Sequence, residues 1–328
     1  MIGSHVAREL VQRPCYAIHG LVRPRSSLDS LAGILHLLTL VQGDLADAHR
    51  MQDVVAEVLP HYIYHFGAQA INGISYSTPG LTVDVNVRGT LNLLEGVLRA
   101  GLAGFAHPRP TRVLLAGSST QYGRTVDQWQ GPVPEHAPLQ PVTPYGVSKV
   151  AMELLGNQYN ASHGLPCITA RLFIQLGPGG SDSLALHQFA RQAALAELGL
   201  QPPELAHGNL DSARDMTDAG HSAPLLVQLA EGGEAGTAYN VGSGAALSMG
   251  ELLRLVLAAA RVPLRPRLEP GRLRLYDERL LLPDIARLRE LTGWQPAPNM
   301  TRTVARVMGY WRAKVRQLYL RSSPSEEL

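Results

Sequence analysis

The chain has 328 residues, of which 45% are hydrophobic, 17% charged and 5% aromatic, enough for one large core or two smaller ones. This composition excludes collagen-like, coiled-coil and wholly disordered proteins. The net charge of +2, from 29 Lys and Arg against 27 Asp and Glu, predicts neither a nucleic-acid nor a membrane-surface partner, because both need clustered basic charge. We therefore expect a small-molecule partner.

Cys15 and Cys167 are the only cysteines and have no C-x-x-C spacing. They predict neither a disulfide framework nor a metal site, and they favour a reducing compartment, the cytoplasm. The longest apolar stretch, residues 31–41, is broken by His36 and Thr39 and is shorter than the ~20 residues of a membrane helix. The first 13 residues lack a secretory signal pattern and read as the inside of a helix that has lost its beginning.

Apolar runs in the first half of the chain alternate with segments of helical spacing. The runs predict strands at residues 16–22, 37–41, 62–66, 113–116 and 168–172, and the spacing predicts helices at 51–59, 81–100 and 145–161. This alternation requires crossover connections, so we expect an α/β fold with a doubly wound parallel sheet. Beyond residue 172, Gly- and Pro-rich loops separate a strand at 238–241 from helices at 249–260 and 300–318.

The strongest local motif is PYGVSK at residues 144–149. Tyr145 and Lys149 are four residues apart and share one helix face. The ammonium can then lie near the phenol and lower the pKa of Tyr145, which suits proton exchange with a carbonyl or an alcohol. Tyr310 and Lys314 have the same spacing, but they belong to a terminal amphipathic helix without a hydroxyl cluster nearby, so we interpret them as packing or solvated residues.

Residues 117–123, GSSTQYG, follow a predicted strand. Ligands bind at the carboxyl ends of strands in an open parallel sheet, so Ser118 can hydrogen-bond the same substrate oxygen that Tyr145 protonates. Alone, the segment reads as a Ser-rich turn. Combined with the motif at 144–149, it predicts a catalytic set of Ser118, Tyr145 and Lys149.

These motifs resemble the extended short-chain dehydrogenase/reductase family, in its nucleotide-sugar branch. The supporting segments are GDL at 43–45, HFGAQ at 65–69, DVNVRGT at 84–90 and YNVGSG at 239–244. The likeness covers nearly the entire chain and implies a Rossmann-like sheet that binds a dinucleotide. Besides Tyr145 and Lys149, the cofactor contacts it implies are Asp44 at the adenine, Leu45, Phe66, Gly67 and Ala68.

The resemblance also implies two domains. We expect residues 1–172 to form the dinucleotide-binding domain, with residues 214–262 partly returning to it. Residues 173–213 and 263–328 would form a smaller substrate-binding domain. The family commonly dimerises through two helices of each subunit, and the matching segments are 81–100 and 145–161, so we expect a homodimer.

Within that branch, the chain is most similar to the GDP-mannose group. The telling segments are GNLDSARDMTD at 208–218, RLR at 272–274 and LTGWQP at 291–296. The likeness implies that Arg214 and Arg274 hold the diphosphate of the substrate, a task suited to the planar guanidinium. Without the resemblance, each arginine reads equally well as a surface salt-bridge partner.

The segment GLVRPRSS at residues 20–27 predicts the cofactor type. NAD-binding folds place an acidic residue here, on the ribose hydroxyl, and this segment has none. Arg23, Arg25 and Ser26 offer two cations and a donor that suit a 2′-phosphate, so we predict NADP(H). A merely basic surface loop is the alternative.

Thr120 separates two candidate reactions. The dehydratase of this group has a Glu there that helps to remove water, and a hydroxyl is a poor general base near neutral pH. We therefore expect a substrate contact at Thr120 and reduction of the C4 ketone of GDP-4-keto-6-deoxy-D-mannose to GDP-D-rhamnose. The alternatives are GDP-mannose 4,6-dehydratase, another nucleotide-sugar dehydratase or epimerase, and a relic that acts as a binding partner.

The sequence departs from the family in two places. The family begins with a buried strand and a Gly-x-x-Gly-x-x-Gly turn, and the segment MIGSH at residues 1–5 matches only its last glycine, Gly3. Losing about five buried side chains at ~1.5–3 kcal/mol each is comparable to the ~5–15 kcal/mol stability of a domain, so we expect an incomplete gene model rather than a degenerate protein. Ile174 and Gln175 stand where the family has Asn and His, which leaves the choice of substrate open.

Overall fold

The structure is a computed structural model that describes residues 1–273, 278–296 and 299–319. Its strands within those ranges are β1 His19–Val22, β2 Thr39–Gln42, β3 Tyr62–His65, β4 Arg112–Ser118, β5 Cys167–Leu172, β6 Ile174–Leu176, β7 Glu204–His207, β8 Ala213–Asp218, β9 Ala238–Val241, β10 Ala246–Ser248, β11 Arg265–Leu268 and β12 Leu280–Leu281. The helices are α1 Ile2–Leu10, α2 Ala48–Val58, α3 Asn72–Ser77, α4 Pro79–Val83, α5 Gly89–Arg99, α6 Thr125–Gln128, α7 Pro144–His163, α8 Ala185–Glu197, α9 Ala219–Gly232, α10 Met249–Ala259, α11 Ala286–Thr292 and α12 Met300–Tyr319.

The largest sheet is parallel throughout and has the strand order β3-β4-β5-β9. Helix α9 packs on one face, where Leu226 and Leu229 meet Leu114 and Ile168. Helices α5 and α7 cover the other face through side chains that include Val97. Helices on both faces of a parallel sheet confirm the predicted doubly wound α/β fold.

Strands β1 and β2 form a separate parallel sheet of two strands. Within the described ranges, β1 pairs only with β2 and β3 pairs only with β4, so one edge of each strand has no strand partner. Tyr16, just before β1, meets Tyr62 at the start of β3 edge-to-face, with ring centroids 6.2 Å apart. The parallel strands of the first half of the chain are therefore divided into two sheets, between β1 and β3.

Helices α8, α10 and α12 build a second core. It includes Leu186, Val256, Val307 and Trp311, all buried. Two small sheets lie in this half of the chain: β8 pairs with β6, β10 and β12, and β11 pairs with β7. Residues 219–241 pack on the large sheet through α9 and β9, whereas α10 packs on α8 and α12.

The helix predicted at 81–100 is three segments in the structure. Residues Asp84–Arg88 form a π-helical turn between α4 and α5. Asn86 on this turn is fully buried and donates from Nδ2 to Ser148 Oγ of α7 at 2.9 Å. Apolar spacing does not reveal a π turn, because one extra residue per turn leaves the flanking pattern helical.

The helix that carries the Tyr–Lys motif has clear boundaries. Thr143 caps α7 by accepting a hydrogen bond from the backbone N–H of Gly146 at 2.9 Å, and Pro144 occupies its first turn. Gly164 ends the helix at φ 59°, a left-handed conformation that favours glycine. These signals set the position of Tyr145 within the first turn.

Tyr64 on β3 has a buried hydroxyl with no hydrogen-bond partner among the described residues. We expect Tyr64→Phe to leave the free energy of unfolding unchanged or to raise it by about 1 kcal/mol, because an unsatisfied buried hydroxyl is removed. Tyr122→Phe is the matched control, since the Tyr122 hydroxyl donates to Asn240 and accepts from Arg171. The control should lose about 1.5–3 kcal/mol in urea unfolding. A larger loss for Tyr64→Phe than for Tyr122→Phe would contradict this assignment.

Candidate active site

Lys149 is on the buried face of α7, and only 2% of its surface is exposed. Its Nζ donates to the carbonyl oxygen of Ala116 on β4 at 2.8 Å and lies 5.7 Å from the ring centroid of Tyr145. The ammonium thus attaches α7 to the carboxyl half of β4. The structure places Tyr145 and Lys149 on one face of α7, as the sequence predicted.

Ser118 is the last residue of β4, and a side-chain hydrogen bond joins it to Tyr145. Its Oγ also accepts hydrogen bonds from the backbone N–H of Thr120 at 3.2 Å and from Thr120 Oγ1 at 2.9 Å. Because Ser118 Oγ accepts both of these bonds, its own hydroxyl proton remains available for donation, either to the Tyr145 oxygen or to a ligand oxygen beside it. The structure therefore brings together Ser118, Thr120, Tyr145 and Lys149.

The pKa of Tyr145 moves in the direction opposite to the sequence prediction. Burial raises it to about 12, and the hydrogen bond with Ser118 lowers it by less than burial raises it. Burial likewise lowers the pKa of Lys149 to about 7. Desolvation dominates both groups because each charged form would lie inside the protein. Tyr145 consequently keeps its proton at neutral pH, as a proton donor requires.

Two further polar residues belong to this site and were not predicted as site residues. His65, at the end of β3, is buried and shares a hydrogen bond of 2.9 Å between its Nε2 and Thr90 Oγ1. Burial, with a smaller contribution from Lys149, lowers the pKa of His65 to about 3, so it is neutral. Asn86 links the π turn to α7 and accepts from the backbone N–H of Gln69 at 2.7 Å. The signal in the sequence was a polar Asn inside an otherwise amphipathic helix.

The residues predicted at the adenine end lie where β2 and β3 end. Asp44 Oδ1 accepts from the backbone N–H two residues on, at 3.0 Å, and closes a turn. Leu45 packs on Gly67, where an added Cβ would lie 2.7 Å from Leu45 Cδ1, so a larger residue would displace the leucine side chain. Phe66 and Ala68 flank that glycine and are partly buried.

The other predicted cofactor residues lie near the amino end of the chain. Gly3 is in the first turn of α1, and its Cβ position is 3.7 Å from Phe66. Arg23, Arg25 and Ser26 are exposed in the loop after β1, and Arg25 has φ 65°. The structure thus places Gly3 beside the adenine-end residues and leaves the two guanidinium groups on the surface.

The predicted substrate arginines have different outcomes. Arg214 on β8 is buried and forms an ion pair with Glu278, with 2.9 Å between Nη2 and Oε2. Arg274 lies outside the described residues. Arg272, two positions earlier in the chain, donates to Gln188 at 2.6 Å. Both side chains line a cleft of about 300 Å³ together with Arg191.

The fold and the Ser118, Tyr145 and Lys149 set define an enzyme of the short-chain dehydrogenase/reductase class. The family model for GDP-mannose 4,6 dehydratase matches residues 1–307, so the chain belongs to that family, and the resemblance stated from the sequence is confirmed. Two of its relatives show how far the likeness extends.

GDP-6-deoxy-D-mannose reductase from Pseudomonas aeruginosa is 32% identical over 274 residues, which are 84% of this chain and 87% of that protein. GDP-mannose 4,6-dehydratase from Vibrio cholerae serotype O1 is 31% identical over 223 residues, 65% of this chain and 57% of its own length. The structure of RMD from Pseudomonas aeruginosa complexed with NADPH matches with a TM-score of 0.80 and 27% identity, over 96% of both chains.

No helix within the described residues combines the length and apolar character that crossing a bilayer needs. No group of three or more His, Cys, Asp or Glu side chains in the same residues is arranged to hold a metal ion.

The buried Lys149 predicts a dependence of stability on pH. Its pKa is about 7 in the folded protein against an ordinary 10.5, so above pH 7 the unfolded chain binds a proton that the folded chain has released. The free energy of unfolding should then rise with pH between 7 and 10, by up to about 1.4 kcal/mol per unit, relative to Lys149→Met. Below pH 7 the free energies of unfolding of the wild type and of Lys149→Met should change with pH at the same slope.

Urea unfolding at pH 7 and pH 9 measures this difference. Lys314→Met, at the only other lysine, is the control and should keep the wild-type slope. Equal slopes for the wild type and Lys149→Met would show that the ammonium is not desolvated.

Proposed function

We propose that the protein is an NADP(H)-dependent reductase that converts the C4 ketone of GDP-4-keto-6-deoxy-D-mannose to the alcohol, giving GDP-D-rhamnose. The observation that carries this proposal is the placement of the Tyr145 phenol beside Ser118 at the end of β4, with Lys149 Nζ 5.7 Å from the phenol ring centroid. Thr120 supports reduction rather than dehydration, because its hydroxyl is held by Ser118 and offers no general base. The 32% identity to a GDP-6-deoxy-D-mannose reductase points the same way.

The residues divide the work as follows. NADPH, when bound, supplies the hydride that reaches C4 of the sugar. Tyr145 donates its proton to the ketone oxygen as charge develops there, and Ser118 orients that oxygen by hydrogen bonding. Lys149, whose Nζ is 5.7 Å from the phenol ring, stabilises the phenolate that remains. Thr120 fixes the rotamer of Ser118 through the 2.9 Å bond between their side-chain oxygens.

The chain offers groups that fit NADP(H). Gln175 Oε1 is buried without a hydrogen-bond partner among the described residues, on the strand that follows β5, and an amide donor such as the nicotinamide carboxamide would satisfy it. We assign the 2′-phosphate to Arg23, Arg25 and Ser26 and the adenine to Asp44. The remaining cofactor contacts we propose are Gly3, Leu45, Phe66, Gly67, Ala68, Tyr145 and Lys149.

The nucleotide sugar would lie against the second domain. Arg191 and Arg272 line the cleft of about 300 Å³, where two guanidinium groups favour a diphosphate. We retain Arg214 and Arg274 as diphosphate ligands. For Arg214 this role requires the phosphate to share or replace its Glu278 partner. We also propose the two-domain division, in which, of the predicted residues 214–262, the part that returns to the dinucleotide side is 219–241.

The test of the reaction is loss of the NADPH absorbance band with the keto sugar as substrate. Tyr145→Phe should lower kcat by about 10²–10⁴-fold, because the proton donor is removed. Tyr310→Phe is the matched control, since Tyr310 also lies four residues before a lysine and its hydroxyl accepts from Lys314 at 3.2 Å. Full activity of Tyr145→Phe would contradict the assignment. Conversion of GDP-mannose to the keto sugar without NADPH loss would identify a dehydratase instead.

We further propose a homodimer in the cytoplasm, and the exposed Cys15 thiol supports a reducing compartment. Helix α7 exposes Val147 at 52% and Leu154 at 60%, seven residues apart on one face. Helices α4 and α5, which pack against α7, expose Leu81 and Leu91. An apolar surface of this kind on adjacent helices fits a second copy of the chain.

Leu154→Glu should give a monomer in sedimentation at micromolar concentration, because it buries a charge in the proposed interface. Leu200→Glu, at an exposed leucine after α8, is the control and should remain a dimer. A wild-type monomer under the same conditions would exclude the homodimer.

A further inference from the structure

A line of buried side chains leads from Ser118 into α7. The backbone N–H of Ser118 donates to Gln121 Oε1 at 2.7 Å, and Gln121 Nε2 donates to Glu153 Oε2 at 2.8 Å. Glu153 follows Lys149 by one helical turn, so both face β4. Gln121 lies in the segment at residues 117–123, but the sequence analysis predicted neither Gln121 nor Glu153 as a site residue.

The line ends in an ion pair inside the protein. Arg171 on β5 donates from Nε to Glu153 Oε2 at 2.9 Å and from Nη2 to Oε1 at 2.5 Å. Its Nη1 donates to Tyr122 Oη at 2.9 Å and to the carbonyl oxygen of Glu135 at 2.8 Å. Gln121, Glu153 and Arg171 are 0%, 5% and 4% exposed. Both charges are thus removed from water and fully hydrogen-bonded.

A buried ion pair of this kind adds little to stability, because desolvation of both charges offsets their attraction. Its attested advantage is specificity of arrangement, since only one geometry satisfies every partner. In this protein, two hydrogen-bonded contacts hold α7 to the end of β4, and the ion pair supports one of them. Lys149 binds the carbonyl oxygen of Ala116, and Glu153 binds the Ser118 turn through Gln121.

We propose that Gln121, Glu153 and Arg171 are positioning residues that set the distance between the Ser118 hydroxyl and the Tyr145 phenol. The inference rests on the proposed reductase function of that site. The turn has little free space at this contact: a Cβ on Gly117 would lie 2.6 Å from Gln121 Oε1 and 2.9 Å from Thr169 Cγ2, so a larger residue would displace the amide. Shifting α7 along β4 would move Tyr145 while leaving Ser118 in place.

The first test compares two glutamates. Glu153→Gln should lower kcat at least about tenfold with KM unchanged, since small misplacements of reacting groups are costly. Glu197→Gln is the matched control: Glu197 is paired with Arg312 by two bonds of 2.7 Å between α8 and α12, far along the chain from the site. It should lower the melting temperature similarly and leave kcat unchanged. Equal kcat in the two variants would overturn the proposal.

The second test uses pH and does not require loss of a partner. Gln121→Glu places a carboxyl against Glu153, with Arg171 and the phenol of Tyr122 behind it, so one of the two carboxyls will have a raised pKa. Below that pKa the introduced carboxyl is protonated, donates to Glu153 as the amide did, and still accepts from Ser118. Relative to wild type, kcat of Gln121→Glu should therefore recover on acidification. A constant ratio at all pH values would overturn the proposal.

A third measurement separates this inference from the reaction itself. Hydrogen exchange of the peptide covering residues 113–124 reads the Ser118 amide without any substrate. Its protection should fall in Glu153→Gln and persist in Glu197→Gln. If the wild type does not oxidise NADPH with the keto sugar, the reductase assignment fails. The protection of the peptide at residues 113–124 still tests the positioning role in that case. Unchanged protection in Glu153→Gln would exclude it.

Discussion

Burial of the Lys149 ammonium is the constraint on which the site depends. A cation that is 2% exposed must be satisfied by the protein, and the Ala116 carbonyl oxygen provides the bond. That bond holds α7 against the end of β4, which places Tyr145 beside Ser118. The same desolvation acts on the phenol and keeps it protonated. Burial thus acts both on the geometry of the pair and on the pKa values of its two groups.

The polar interior around the site follows from the same requirement. His65, Asn86 and Ser148 are buried, and each has a partner on another element or along its own helix. Asn86 lies in the π turn at Asp84–Arg88 and is bonded there to Ser148 of α7. Networks of this kind permit one arrangement of the surrounding elements, which a purely apolar core would leave less defined.

The break between the two parallel sheets lies beside β1 and β3, away from the end of β4 that carries Ser118. Strands β3, β4, β5 and β9 form a continuous parallel layer. Ser118 is at the end of β4, and α7, which carries Tyr145, packs on β4 and β5. Strands β1 and β2 pair only with each other in the described ranges, with the Arg23 and Arg25 loop beyond them. The Ser118 and Tyr145 pair therefore adjoins the continuous layer, whereas the loop with Arg23 and Arg25 adjoins the separate pair of strands.

The sequence by itself determined the alternation of strands and helices, because burial in a parallel sheet imposes apolar runs of characteristic length. It also determined the Ser118, Tyr145 and Lys149 set, since spacing on one helix and position after one strand are local properties. The pKa direction of Tyr145 and the Glu278 partner of Arg214 were decided by the tertiary structure. So was the Gln121, Glu153 and Arg171 network, because desolvation and hydrogen bonding between residues 18 and 32 positions apart leave no periodic trace in the chain.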